Sequence, residues 1–262
     1  MTRFKMGRYK KLFIPFLVLG GLVIFCSYWI NARFSNIFSG ISIGMKFFLG
    51  MFPPDFSVVS ELLEPVVETV FMAFLGTIFG TILSIPFAVA AASNISPSWL
   101  RNLIRFLISV ERAIPEVIIL LFLVSATGLG LMPGVIALSI GAIGMIGKFL
   151  SDSIEEIDPI SLDSLRSVGA SRIQVIYYGV IPEVVPKIIS YALFRFEYNV
   201  RLSVIMGAVG AGGIGYYIAY YFGLNYYGKA LTALLLTTLL ILLSERLSSF
   251  LRNRIKLEDL LQ

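Results

Sequence analysis

The sequence contains no histidine and only one cysteine, Cys26, among its 262 residues. Without histidine, a Ser-His-Asp triad, a Cys-His pair and an HExxH zinc site are all impossible. A single cysteine allows neither an intramolecular disulfide nor a CxxC redox or zinc pair. These absences argue against hydrolytic and redox chemistry, and we expect no metal site.

Charged residues are also scarce, at 14% of the chain, whereas hydrophobic residues make up 57%. A soluble domain carries about 25% charged residues, so this chain has too few to cover a water-facing surface. The net charge of +5 could suggest a nucleic-acid partner, but in a membrane protein the positions of the charges matter more than their sum. We therefore expect an all-α, polytopic membrane protein that transports a solute and binds no nucleic acid.

Long, almost wholly apolar runs predict six membrane-spanning helices. The first run, Leu12–Ile30, follows a basic start as in a signal peptide, but no small-residue cleavage site comes after it. The run Ala113–Leu150 is too long for one helix, and the breaker Gly128–Gly134 divides it into two short spans. The other spans are predicted at 67–92, 202–222 and 229–243, the fifth being hard to place because charges precede it.

Basic residues are distributed unequally between the two sides of this arrangement. With the N-terminus in the cytoplasm, sixteen Lys and Arg residues lie inside and three lie outside. Cytoplasmic segments of membrane proteins carry such an excess, so both termini are predicted to be cytoplasmic. The longest outer segment, Asn31–Pro65, is rich in aromatics and is expected to form an amphipathic helix at the outer membrane surface. We accordingly divide the chain into residues 1–65, an N-terminal membrane-spanning helix with an outer interfacial segment, and a transmembrane domain, 66–262.

The most informative stretch is the polar cytoplasmic segment 152–187. Asp158 can cap a helix with Pro159 at its first position, where the missing N–H of proline is not needed. Apolar residues then recur at every third position and predict one apolar helix face, formed by Leu162, Leu165 and Val168.

A second short helix is predicted directly after the first. Gly169 is expected to end the first helix and to let the chain reverse where a Cβ would clash. Ser171 and Gln174 have the spacing of a capping box, and Gly179 and Pro182 are expected to stop the second helix. A helix–Gly–helix element of this kind is either a docking surface or an ordinary solvated loop, and the local pattern leaves both open.

Charges near the fifth span need an explanation, because each costs about 2.5–3.5 kcal/mol at mid-membrane on insertion scales. Glu197 and Arg201 lie four residues apart and are predicted to form a structural ion pair. Arg195 has no acid three or four residues away, so we expect an uncompensated cation in a stripe with Tyr191 and Asn199. This stripe could line an electropositive pathway, unless a neighbouring helix supplies Arg195 with a partner.

Five glycines lie between Gly207 and Gly215. They permit irregular backbone, which in lipid survives only when it is buried in protein or lines a wet cavity. Two interpretations remain: a gate or pathway lining at Gly207, Gly210, Gly212 and Gly213, or close helix packing.

The residues around Gly169 resemble the cytoplasmic signature of ABC importer permeases, which is Glu-Ala-Ala, three residues, Gly, nine residues and Ile-x-Leu-Pro. Here Asp163-Ser164-Leu165 precedes Gly169, and Gly179-Val180-Ile181-Pro182 follows with the same Gly-to-Pro spacing of thirteen. The departures are Asp for Glu, Ser and Leu for the two Ala, Gly179 for Ile and Ile181 for Leu. Other motifs are similar to the phosphonate-importer branch: Phe52–Phe56, Arg112–Glu116, Tyr178–Pro182, Tyr191–Arg201 and Gly207–Gly215.

This resemblance implies a non-enzymatic permease of the bacterial inner membrane with the type I, methionine-permease-like core. Its implied partners are a second copy of itself, two cytoplasmic ATPase subunits that bind ATP and Mg, an extracytoplasmic phosphonate-binding protein and membrane lipid. No cofactor is expected on this chain, and the fifth span becomes roughly 186–207. The implied ATPase contacts are Asp163, Ser164, Leu165, Gly169, Ala170, Ser171 and Pro182. Asp163 would meet an arginine of the ATPase, unless it is simply a solvated surface charge.

Two alternatives remain open. A related permease could carry phosphite, phosphate or a methionine-like solute, because substrate choice belongs largely to the binding protein. An ion-coupled secondary transporter could use Arg195, Glu197 and Arg201 as an intramembrane relay. That second hypothesis leaves the Gly-to-Pro segment unexplained, and the sequence shows no internal repeat.

Overall fold

A computed structural model describes residues 6–31 and 35–259 of the chain, with side chains over 15–31 and 40–254. All regular elements within these residues are helical. The chain separates into two compact units, one up to Phe52 and the other from Pro53 onward. The sequence-based boundary at 65/66 lies inside a continuous helix, Val59–Ala91.

The first unit contains two helices, α1 (Met6–Trp29) and α2 (Ser35–Gly50). α1 coincides with the first predicted span, and its described apolar side chains are exposed, as expected for a lipid-facing helix. α2 shows that the segment 31–65 contains a helix, but α3 of the second unit already begins within that segment at Val59.

The second unit contains the remaining helices. They are α3 (Val59–Ala91), α4 (Ser98–Ala113), α5 (Glu116–Thr127), α6 (Leu131–Glu155), α7 (Pro159–Ser167), α8 (Arg172–Val175), α9 (Ile181–Met206), α10 (Gly213–Gly223) and α11 (Tyr227–Asp259). A short 3-10 turn, Phe56–Val58, precedes α3, and π-helical turns at Ile176–Val180 and Gly207–Ala211 flank α9.

The six predicted spans correspond to α1, α3, α5, α6, α9 and α11. In the described part of the chain, α3, α6 and α11 are individually long and apolar enough to cross a membrane, and α9 with α10, bent by 58°, gives a fourth candidate. α5 has 12 residues and is about 18 Å long, shorter than the hydrocarbon core of about 30 Å.

Close packing of α3 against α6 forms the centre of the second unit. A Cβ on Gly76 would lie 2.6 Å from Leu138 Cβ, and one on Gly80 would lie 2.8 Å from the carbonyl oxygen of Ser139. Small residues thus let the two backbones approach, as is usual for helices in membranes. Two buried apolar clusters, on Leu138 with Met72 and on Leu150 with Ile154, connect this pair to α5, α7 and α9.

α4 was not predicted from the sequence because Arg101 and Arg105 interrupt its apolar residues. Its buried face carries Ile108, while Arg105 forms an ion pair with Glu155 of α6 and donates to the carbonyl oxygen of Ala91 at 2.9 Å. These contacts hold the middle of α4 against the ends of α3 and α6.

Candidate functional site

The segment 158–182, which we call the coupling segment after the role predicted for it from the sequence, begins with the predicted caps. The Oδ1 of Asp158 accepts a hydrogen bond from the N–H of Ile160 at 2.9 Å, with Pro159 at the first helical position. The N–H of Ser171 donates to Gln174 Oε1 at 2.8 Å, and the N–H of Gln174 donates to Ser171 Oγ at 3.4 Å. Both predicted helix starts are therefore confirmed.

α7 ends in a left-handed turn at Gly169, where φ is +85°. The N–H of Gly169 donates to the carbonyl of Arg166 at 3.0 Å, and the N–H of Ala170 donates to that of Leu165 at 3.2 Å, which is the Schellman pattern. A Cβ on Gly169 would meet nothing within 4 Å, so the predicted clash is wrong. Glycine suits this position because of its positive φ.

The second helix does not stop at Gly179 and Pro182, so that prediction is wrong. The chain passes from α8 through the π-helical turn into α9 without leaving helical geometry. Pro182 lies in the first turn of α9, directly after the π-helical turn. A Cβ on Gly179 would lie 2.8 Å from Leu165 Cδ1, so this glycine lets α7 pack against the π-helical turn.

The inner face of the coupling segment is anchored to the second unit. Leu162 is 1% exposed and packs among residues of α3, α6 and α9. Arg166 Nη2 donates to the carbonyl of Asn94 at 2.9 Å, and Asn94 Nδ2 donates to that of Ile154 at 2.7 Å. Val168 does not continue the apolar helix face predicted for it: α7 ends before this residue, which is 81% exposed.

The outer face of the coupling segment is open to solvent. Asp163 is exposed, and its Oδ1 accepts a hydrogen bond from Arg166 Nη1 at 2.8 Å. Of the other predicted contact residues, Ser164, Gly169, Ser171 and Pro182 are exposed, and Leu165 and Ala170 are partly buried. Large apolar side chains lie exposed beside them, at Ile160, Ile173, Tyr177 and Tyr178. Such a mixed patch on a polar segment is typical of an interaction surface.

A second site is a cleft of about 550 Å³ between the α4–α5 connection, α6 and α9. It brings the Arg112–Glu116 motif next to Arg195, although the two are far apart in sequence. Aromatic side chains at its edge are partly exposed, at Phe149, Phe194 and Tyr198. The cleft therefore combines a charged interior with an apolar rim.

Arg195 is almost completely buried in this cleft and has an acidic partner. Its Nη2 lies 2.8 Å from Oε2 of Glu116, and its Nη1 lies 3.2 Å from Oε1. Nη2 also donates to the carbonyl of Leu138 at 3.2 Å, and the guanidinium carbon lies 5.0 Å from the ring centre of Tyr198. The prediction of an uncompensated cation is therefore wrong, because α5 supplies the carboxylate.

Glycines of α6 make room for two carboxyl groups. A Cβ on Gly141 would overlap the carboxylate of Glu116, and one on Gly144 would overlap that of Glu111. Glu111 Oε2 is buried without a partner among the described residues. Burial, reinforced by the charge of Glu116, raises the pKa of Glu111 from 4.5 to about 7 against the opposing effect of Arg195 and Arg112.

The other members of the predicted stripe point elsewhere. The hydroxyl of Tyr191 lies 2.8 Å from that of Ser153, and Asn199 Nδ2 donates to Thr77 Oγ1 at 2.9 Å. Asn199 is fully buried against α3, although its Oδ1 has no partner among the described groups. Arg195 is thus the one member of the stripe that lines the cleft.

The predicted ion pair of α9 is present and belongs to a larger network. Arg201 Nη2 lies 2.9 Å from Glu197 Oε1 and 3.3 Å from Glu245 Oε2. Arg252 Nη2 lies 3.3 Å from Glu197 Oε2. Glu197 therefore joins α9 to α11, and no contact among the described residues connects it to Arg195, as a relay would require.

The glycine-rich segment breaks the helix after α9. Val209 and Gly210 leave helical geometry, and φ is positive at Gly210, Gly212 and Gly213. Gly207 and Gly213 are buried, whereas Gly210 and Gly212 are partly buried.

The start of α10 is held by α3. The N–H of Gly213 donates to Glu68 Oε2 at 3.2 Å, and the N–H of Ile214 donates to Thr69 Oγ1 at 2.9 Å. These bonds satisfy backbone groups that the break leaves free. The segment is irregular and closely packed at once, so the two interpretations of its glycines are compatible.

Sequence reasoning missed the roles of Glu116, Glu111 and Tyr198 in the cleft. Glu116 could have been predicted as the partner of Arg195, because a buried arginine needs a carboxylate and Glu116 lies near the start of the third predicted span. No signal existed for Glu111, whose burial depends on the notch at Gly144. Among the described residues, no group of three or more Cys, Asp or Glu side chains is placed to hold a metal ion.

Known proteins resemble this chain along most of its length. It is 32% identical over 254 residues to the phosphite transport system permease protein PtxC of Stutzerimonas stutzeri, covering 97% of this chain and 92% of that protein. It is 35% identical over 229 residues to the phosphate-import permease protein PhnE of Mycolicibacterium smegmatis, covering 86% of this chain and 42% of that one.

The fold is also known from solved structures. A chain of the inward-facing MetNI methionine ABC transporter superposes with a TM-score of 0.67 at 24% identity, covering 77% of this chain and 99% of that chain. This likeness supports the predicted methionine-permease-like core. Residues 84–257 match the family described as binding-protein-dependent transport system inner membrane component. The chain therefore belongs to that family of membrane permeases.

Proposed function

We propose that this chain forms the translocation pathway of an ATP-driven importer for phosphonate or a related phosphorus oxyanion. The likeness to a phosphite permease over 97% of the chain carries the substrate class. A guanidinium in the cleft is consistent with it, because arginine pairs with two oxygens of a phosphorus oxyanion as it does with those of a carboxylate.

The working assembly contains a second copy of the chain, a cytoplasmic ATPase dimer and an extracytoplasmic binding protein for the oxyanion. ATP and Mg belong to the ATPase, since this sequence has no GxxxxGK[ST] phosphate loop. Type I importer permeases need both soluble partners, one on each side of the membrane, so the protein lies in the inner membrane. The excess of basic residues in the predicted inner segments favours cytoplasmic termini.

The coupling segment is the surface that the ATPase binds. Its inner face is fixed through Leu162 and Arg166, so a push on its outer face reaches α3, α6 and α9. The exposed apolar side chains Ile160 and Ile173 offer the contact area, and Asp163 offers a charge.

The pathway runs past the cleft of Arg195 and the break at Gly207–Gly213. In this proposal Arg195 contacts the passing anion. The irregular backbone between α9 and α10 forms part of the gate, because such backbone in a membrane is buried in protein or lines a wet cavity.

Reconstitution tests the proposal. The permease, its ATPase and its binding protein in proteoliposomes should take up a phosphorus oxyanion only when ATP is enclosed with the ATPase. Phosphite, methylphosphonate and phosphate are supplied separately, with methionine as the control solute. Uptake of methionine but of no phosphorus oxyanion would contradict the proposed substrate class.

A further inference from the structure

The pair between Arg195 and Glu116 has the geometry in which a guanidinium holds an oxyanion. Two nitrogens of Arg195 face two oxygens of Glu116, at 2.8 and 3.2 Å. A phosphorus oxyanion presents two oxygens in much the same way, so it can use the same two donors. Glu116 thus occupies the place that an anionic solute in the cleft would take.

The guanidinium stays in position without Glu116. Nη2 bonds the carbonyl of Leu138 on α6, Nη1 lies 3.7 Å from the sulfur of Met145, and Tyr198 lies beside the group. The Nε of Arg195 is buried with no partner among the described residues, so the side chain has a donor to spare. These supports lie on α6 and α9, whereas Glu116 comes from α5.

The carboxylate of Glu116 is held much less firmly. In the described part of the chain its hydrogen bonds go to Arg195 alone. The carboxylate of Glu116 lies in a notch on α6 that exists because Gly141 has no side chain. A second carboxyl group, that of Glu111, lies close to it. When both carboxyl groups are ionised their charges repel each other. Since Arg195 keeps its other contacts, Glu116 is the member of the pair that can leave.

We propose that Glu116 is an internal competitor for the substrate. It occupies the guanidinium of Arg195 while the cleft is empty, and an entering phosphorus oxyanion displaces it. This inference rests on the proposed function. The apparent affinity of the cleft is then its intrinsic affinity multiplied by the fraction of time that Glu116 leaves Arg195 free. A transport pathway requires such weak binding, because a solute held tightly is not released.

The experiment measures binding of inorganic phosphate and methylphosphonate to the purified permease–ATPase complex without the binding protein, by phosphorus NMR titration. Glu116→Gln removes the competing charge. Gly141→Ala keeps both charges but fills the notch that holds the carboxylate of Glu116. Gly147→Ala is the matched control, because a Cβ there would meet its nearest atom, Ile108 Cδ1, at an ordinary 3.5 Å.

Glu116→Gln and Gly141→Ala should each bind the anions at least about tenfold more tightly than the parent, whereas Gly147→Ala should bind as the parent does. Adding Arg195→Gln to Glu116→Gln should abolish the gain. If either variant assembles with the ATPase and binds no more tightly, the competitor role is wrong.

Glu116→Gln could fail to assemble, because it leaves Arg195 without its counter-charge. The comparison of Gly141→Ala with Gly147→Ala then decides, and Glu116→Asp, which keeps the charge but shortens the reach, should also tighten binding. Uptake by the parent complex separates the two proposals. If the parent transports no phosphorus oxyanion, the proposed function fails; if it does transport one while an assembled variant gains no affinity, the competitor role alone fails.

Discussion

At the scale of single residues, Arg195 and Glu116 depend on each other for stability as well as for any role in transport. Removing one partner of a buried ion pair leaves an uncompensated charge and typically costs about 3–5 kcal/mol. Arg195→Gln alone should therefore greatly reduce the yield of assembled complex, measured by size-exclusion chromatography. The double variant with Glu116→Gln should recover assembly but not uptake. Normal assembly of Arg195→Gln would show that Glu116 is neutral or finds another partner.

Glu111 should make stability depend on pH. Its folded-state pKa of about 7 lies above the ordinary 4.5, so the folded protein holds this proton more tightly than the unfolded chain does. Stability from this group is complete below about pH 4.5 and is lost as the pH rises through 7. Glu111→Gln should thus raise the melting temperature at pH 8 and change it little at pH 5.

The gain from Glu111→Gln should be on the order of 1 kcal/mol, because solvent screens this half-buried group. Glu64→Gln, at an exposed acid of α3, is the control and should show no such dependence. Equal melting temperatures of parent and Glu111→Gln at pH 8 would contradict the raised pKa.

Glu197 and Glu245 offer a matched comparison within one network. The side chain of Glu197 is 10% exposed and binds Arg201 and Arg252, whereas that of Glu245 is 50% exposed and binds Arg201 alone among the described residues. Glu197→Gln should cost about 1.5–3 kcal/mol of stability, and Glu245→Gln less than about 1 kcal/mol. Thermal unfolding of the purified permease measures both. Equal losses would mean that burial does not set the strength of this network.

At the scale of elements, the turn at Gly169 can be tested with two substitutions that differ in the backbone conformation they allow rather than in side-chain size. Asparagine tolerates a positive φ, whereas valine does not. Gly169→Asn should keep most of the coupled ATPase activity, and Gly169→Val should lose most of it while the spans still assemble. ATPase activity stimulated by the loaded binding protein is the measurement. Similar activity in the two variants would show that the left-handed turn is not what the ATPase recognises.

Signals between sequence neighbours predicted the short elements well. Asp158 with Pro159 and Ser171 with Gln174 act within three residues, so their spacing is sufficient to place two helix starts. The prediction that Pro182 stops a helix was wrong because proline occurs both after the end of a helix and in its first turn. Which of the two applies at Pro182 depends on the π-helical turn that precedes it.

Contacts between distant elements could not be predicted in the same way. Glu116 and Arg195 are 79 residues apart, and their pairing depends on how α5 and α9 pack against α6. The notches at Gly141 and Gly144 appear in the sequence only as two more glycines of an apolar helix. The fold was predictable because the resemblance rests on several motifs in order, whereas the cleft needed three-dimensional packing.

At the scale of the whole molecule, the proposed orientation can be tested by labelling. In a Cys26→Ser background, a cysteine at Ser161 should react with a membrane-impermeant thiol reagent only from the cytoplasmic side, and one at Ser60 only from the outside. Both positions are exposed, so access depends on the side of the membrane. Labelling from the opposite sides would overturn the orientation and, with it, the assignment of the coupling segment to the ATPase.

The π-helical turns at the two ends of α9 bear on how this helix can move. A rotation of α9 about its own axis can be absorbed at Ile176–Val180 and Gly207–Ala211, where the hydrogen bonding already departs from the α pattern, without breaking bonds between them. Arg195 and Glu197, two positions apart, lie on nearly opposite sides of the helix. One rotation would therefore pull Arg195 from Glu116 and Glu197 from Arg252 together. The two ion pairs therefore oppose a rotation of α9 as long as α5 and α11 keep their places.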